Sequence, residues 1–133
     1  MKILALDLGT KRTGVAFIDQ ESVGFVVPLS TINHKSNEEF MNAVQELIKD
    51  RKIDRLVVGL PFLPSGKEGQ QAAFVHERVK ELETLGIPVS LIDERYSSRQ
   101  TSTATPPKKG QDRSAVDPNA MAAIAFLEAF IES

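Results

Sequence analysis

The chain of 133 residues has no cysteine and no tryptophan, two histidines and one tyrosine. Without cysteine there can be no disulfide and no thiolate-ligated zinc or iron–sulfur centre, and two histidines are too few for a histidine-rich zinc site. Any resident metal must therefore be held mainly by oxygen, which selects Mg²⁺ or Mn²⁺. Neither sign of charge is in large excess. Lys plus Arg number 16 and Asp plus Glu 18, a formal net charge of −2, so the bulk basic footprint of a nucleic-acid binder is missing. No apolar run approaches the ~18 residues of a membrane span. The apolar start, Met1 to Leu6, is short and runs into Asp7, unlike a secretory signal. These absences lead to the expectation of one cytoplasmic domain, 1–133, with no membrane partner.

What is present is an alternation of strand and helix patterns. Ile3 to Leu8 is a short, nearly all-apolar run that reads as a strand buried on both faces, with Asp7 as its anomaly. Gly9 to Arg12 reads as a turn and Thr13 to Ile18 as the returning strand of a hairpin. Val23 to Leu29 reads as a third, antiparallel strand. Ser36 with Glu39 fits a capping box. Behind it Phe40, Val44, Leu47 and Ile48 form one helical stripe ending near Asp50. Arg55 to Leu60 is a β-branched strand stopped by Pro61. Ala72, Val75, Val79 and Leu82 mark a second helix, with Gly86 and Pro88 ending it. Val89 to Ile92 is a fifth strand and Ser97 to Thr105 a possible short helix. Thr105 to Arg113 is a polar loop, and a last helix runs from Pro118 to Ile131. The order predicts an α/β fold, a mixed sheet with helices on both faces.

Three acidic positions stand out. A carboxylate in an apolar strand is costly unless it is paired, binds a metal or caps its own turn, which places Asp7 first. Asp93-Glu94-Arg95 follows directly on an apolar strand, where α/β sheets bind ligands; in regular strand geometry Asp93 and Glu94 point to opposite faces. Asp117 and Asn119 flank Pro118 at the head of an alanine-rich helix, and Asp117 also suits a plain N-cap. Lys11 and Arg12 beside Asp7, Arg95, and Lys108 and Lys109 in the polar loop are candidates for phosphate contacts, or are solvated surface charges. Residues 59–68 imitate a phosphate-binding P-loop but have six residues between the glycines where the motif needs four. His34 and His76 have no metal-type spacing and read as surface or loop residues.

Taken together, Asp7-Leu8-Gly9-Thr10-Lys11-Arg12-Thr13-Gly14-Val15-Ala16, Val57-Val58-Gly59-Leu60-Pro61 with Gly66, Asp93-Glu94-Arg95 followed by Ser97-Ser98, and the Ala122-Ala123 helix resemble the YqgF/RuvX-like family. That family consists of pre-16S rRNA nucleases earlier described as Holliday junction resolvases, within the RNase H-like superfamily. The resemblance spans essentially the whole chain. It implies a five-stranded mixed sheet, its first three strands antiparallel, flanked by helices. It also implies three acids, matched here by Asp7, by Glu94 in the Asp-Glu-Arg motif, and by an acid opening the last helix. Counting back from Ala122-Ala123, that third position falls on Asn119, with Asp117 two residues earlier.

The expectation is a metal-dependent nuclease in ribosome biogenesis that processes the 5′ end of pre-16S rRNA. Asp7, Glu94 and Asp117 would be catalytic, with Asn119 joining them around Mg²⁺ or Mn²⁺. The partner would be pre-rRNA, with ribosomal proteins nearby. A resolvase of branched DNA and a catalytically weak RNA- or protein-binding scaffold are the alternatives, the first favouring a homodimer over a monomer.

Overall fold

The computed structural model describes residues 1–22, 24–94 and 118–132. The elements are β1 (Lys2–Asp7), β2 (Arg12–Asp19), β3 (Val27–Asn33), α1 (Asn37–Arg51), β4 (Arg55–Leu60), α2 (Gln70–Glu83), β5 (Val89–Asp93) and α3 (Pro118–Glu132). The strands form one sheet in the order β3-β2-β1-β4-β5. β1, β2 and β3 pair antiparallel, and β4 joins β1 and β5 in parallel. This is the expected mixed five-stranded sheet, flanked by helices.

Side-chain alternation divides the sheet into two faces. Leu4, Leu6, Val15, Leu56 and Val58 point to one side and pack with Phe40 and Val44 of α1 and Val75, Val79 and Leu82 of α2. Ile3, Ala5, Ala16, Ile18 and Val57 point to the other and pack with Ala123, Phe126 and Leu127 of α3. Each fully buried side chain of this size contributes about 1.5–3 kcal/mol. Asp7 continues the Ile3–Ala5 series, so the pleat aims it at the α3 face.

Glycines let α3 approach closely. A Cβ on Gly59 would stand 2.3 Å from the Phe126 ring, and one on Gly14 would stand 1.9 Å from the Asn119 carbonyl oxygen. The small side chains Ala120, Ala123, Ala125 and Ala129 are buried along the same helix.

The local signals at α1 act as expected, with one change. The Ser36 side chain accepts from the Glu39 N–H at 3.2 Å, but the Glu39 carboxylate reaches back to the Lys35 N–H instead of Ser36. α1 ends on Lys52 in the left-handed conformation, φ 54°.

Two expectations are corrected. The third strand lies at Val27–Asn33, not at 23–29. Gly24 turns the chain at φ 78° and Phe25 is 62% exposed, so the apolar start of that stretch lies before the strand. The pairing instead takes Leu29 to Val15 and Asn33 to Arg12 across a bulge. An edge strand is paired on one side only, so it accommodates Pro28, Ser30 and Asn33. His34 does lie in the loop after β3, but not at the surface: it is 8% exposed. His76 does lie at the surface, on α2, 2.9 Å from Glu68. The possible helix 97–105 and the polar loop 105–113 lie outside the described residues.

Candidate functional site

Three structural devices converge at one end of the sheet. β1 ends on Asp7, and β4 and β5, parallel to it, end on the same side with Leu60 level with Asp93. Ile92 packs into the α3 layer, while Asp93 follows Leu60 to the opposite face. Glu94, the next residue, comes back toward Asp7. The register partner of Asp7 is Gly14, and the missing side chain there makes room for the backbone of Asn119 in the first turn of α3. Asp7, Glu94 and the head of α3 are thus brought together by three different parts of the chain.

The electrostatics report the same proximity. Burial, followed by the charge of Glu94, pushes the Asp7 carboxyl up to about 6. Burial and then the charge of Asp93 also push Glu94 upward. Half-buried like charges bind protons in place of a missing countercharge, and a cation between them would remove the same strain. Carboxylate oxygens suit Mg²⁺ or Mn²⁺, so the donor chemistry of Asp7 and Glu94 fits such an ion. Among the described residues no group of three or more acidic or histidine side chains converges. Of the two candidates for a third position, the structure places Asn119 at the head of α3, and Asp117 lies outside the described residues. Arg95, Lys108 and Lys109 lie outside them too.

Lys11 and Arg12 occupy the β1–β2 turn, where a Cβ on Gly9 would stand 2.3 Å from the Arg12 carbonyl oxygen. They line a cleft of about 560 Å³ together with Asn33, His34, Lys35 and Glu39. Sequence reasoning missed the far wall of this cleft. Its signal was the pairing of Arg12 with Asn33, which depends on the position of β3. Among the described residues no helix is long and apolar enough to cross a membrane.

Known proteins share this fold. At 12% identity the chain superimposes on Thermus thermophilus RuvC in complex with a Holliday junction substrate with a TM-score of 0.67, covering 97% of this chain and 92% of that one. RuvC solved alone gives a TM-score of 0.65 at 13% identity, with the same coverage. The fold is RNase H-like. In sequence the chain is 33% identical over 135 residues to "Putative pre-16S rRNA nuclease" of Sulfurihydrogenibium sp., covering 98% of this chain and 90% of the relative. It is 36% identical over 111 residues to a protein of the same name from Crocosphaera subtropica, covering 83% and 77%. Residues 1–133 also match the family described as "RuvX: Holliday junction resolvase". With the match running from end to end, and Gly14 and Gly59 of its motifs explained by the packing of α3, the chain belongs to the RuvX family.

Proposed function

We propose that this protein is a metal-dependent nuclease that hydrolyses a phosphodiester bond of precursor 16S rRNA in the cytoplasm. The observation that carries the reading is the Asp7–Glu94 pair: two half-buried carboxylates, one on the last residue of β1 and one just past the end of β5, each with its proton affinity raised by burial and a neighbouring acid. The names of the relatives support the substrate class.

Asp7 and Glu94 would hold Mg²⁺ or Mn²⁺, with Asp117 or Asn119 as a further oxygen donor. A bound ion supplies Lewis acidity toward the phosphodiester and offsets the charge of the carboxylates. The chain's own groups do the rest. The end of β1 and the residue just past β5 orient the two carboxylates toward one point, where both would be held ionised as ligands. Lys11 and Arg12 hold phosphates flanking the one to be cut.

Cleavage of precursor rRNA and of a four-way DNA junction, each with Mg²⁺ or Mn²⁺, tests the reading. Loss of rRNA product in Asp7→Asn and in Glu94→Gln supports it. Cleavage that survives both variants overturns the assignment of the site. Cutting of the junction alone moves the substrate to branched DNA. Binding of RNA without cutting leaves a scaffold.

A further inference from the structure

The cleft beside the β1–β2 turn is more than an extension of that turn. Its near wall carries Lys11 and Arg12 and its far wall Lys35; among the described residues lining it, Glu39 is the one acid. The Glu39 carboxylate already accepts the Lys35 backbone N–H. Cations thus outnumber acids here, in a chain of net charge −2.

The two walls are braced against each other before any ligand arrives. Arg12 and Asn33 are register partners, and the His34 N–H donates to the Lys11 carbonyl at 3.0 Å. The His34 ring lies 3.0 Å from the Thr13 hydroxyl and packs edge-on to Phe40 at 5.2 Å. A cleft ordered in advance loses little freedom on binding.

The volume, about 560 Å³, falls in the range of small-ligand sites, about 300–1,000 Å³. A bare phosphate would leave most of it empty, whereas a phosphate with its sugar and base would not. Asn33 stands exposed in the wall with both a donor and an acceptor for a base edge or sugar hydroxyl.

The cleft lies on the α1 side of the turn, while Asp7 faces α3. Arg12 is two residues along β2 from Gly14, the register partner of Asp7, about 7 Å at strand rise. We infer that the cleft is a subsite for one nucleotide of a single strand, beyond the phosphate presented to Asp7 and Glu94, with the backbone crossing the turn over Lys11 and Arg12. This rests on the nucleic-acid reading above and adds Lys35, Asn33 and His34 to it.

The test is fluorescence anisotropy with a labelled oligouridylate, in EDTA and in an Asp7→Asn background, so that binding is read without cleavage. Thermal melting of every variant checks its fold. Lys35→Ala should weaken binding about fivefold near 0.15 M salt and lower the salt slope by about 1, the signature of one lost phosphate contact. Asn33→Ala should weaken binding and leave the slope unchanged. Lys80→Ala, an exposed position on α2, should change neither. A Lys35→Ala protein with unaltered affinity and slope overturns the subsite. So does competition by inorganic phosphate as strong as that by uridine monophosphate, which would reduce the cleft to a plain anion site. Binding that follows this pattern in a protein that cuts nothing with Mn²⁺ supports the subsite and removes the nuclease reading instead.

Discussion

The backbone of Asn119 occupies the place where a side chain on Gly14 would be: a Cβ there would stand 1.9 Å from the Asn119 carbonyl oxygen. The hairpin glycine thus sets how far the head of α3 descends toward Asp7. Gly14→Ala should lift that end of the helix, lowering stability by about 3 kcal/mol and metal affinity with it. Urea unfolding and Mn²⁺ titration measure the two effects. Retained stability with weakened metal binding would still place Asn119 at the ion; full retention of both would mean that α3 yields without cost.

The Asp7–Glu94 pair makes a pH prediction with a definite sign. Asp7 titrates at about 6 in the fold against an ordinary 3.8, so the folded chain holds this proton more tightly than the unfolded chain. The stability that proton confers is fully present below 3.8 and is lost as the pH rises through 6, a change of ~2 kcal/mol after allowance for solvent screening. Melting curves of the metal-free protein should show this loss, and Asp7→Asn should abolish it. Glu94→Gln should bring the Asp7 carboxyl down, read from its carbon chemical shift. Saturating Mg²⁺ should flatten the profile in the unaltered protein.

His34 titrates in the opposite sense. Burial, then the charge of Arg78, holds the imidazole below its ordinary 6.5, and Glu39 opposes this only in part. The unfolded chain therefore takes up the proton first, and stability from this group is lost as the pH falls below 6.5. His34→Ala should cost about 2 kcal/mol at neutral pH through the lost Thr13 contact and the cavity beside Phe40. Melting at stepped pH separates the two groups, since Asp7→Asn leaves only the acid-side loss.

The third oxygen donor can be assigned by exchange. Asp117→Asn should reduce cleavage more than Asn119→Ala; the reverse ranking would put the donor on Asn119. Asn119→Asp adds a carboxylate to the half-buried pair, so it should raise the Asp7 pKa further without metal. With metal it should tighten Mn²⁺ about tenfold, read by calorimetry.

Much of this was legible from local patterns. The apolar run ending in Asp7, the Ser36 cap and the β-branched run before Pro61 are signals within a few residues, and the elements form there. The acid pair closing the fifth strand was legible too, although β5 ends at Asp93 and Glu94 lies just beyond it. The place of β3 was not legible, because the apolar stretch around Phe25 competes with a pairing that β2, from Arg12 to Phe17, defines. The burial of His34 was hidden for a related reason. It sits in the loop after β3 as expected, but Phe40 and Thr13, brought up by α1 and β2, close over it. The wall at Lys35 depends on both and could not be seen in one stretch of sequence.

Phe126 rests on Gly59 where β4 passes beneath α3, and Asn119 lies seven residues toward the head of that helix, about 10 Å along its axis. The helix is therefore a lever whose fulcrum is an aromatic ring on a glycine. A tilt of about 5° at the fulcrum swings Asn119 by about 1 Å, a displacement of the size that costs catalysis about a hundredfold. Substitutions at Gly59 or Phe126 should therefore act on the proposed site through mechanical advantage.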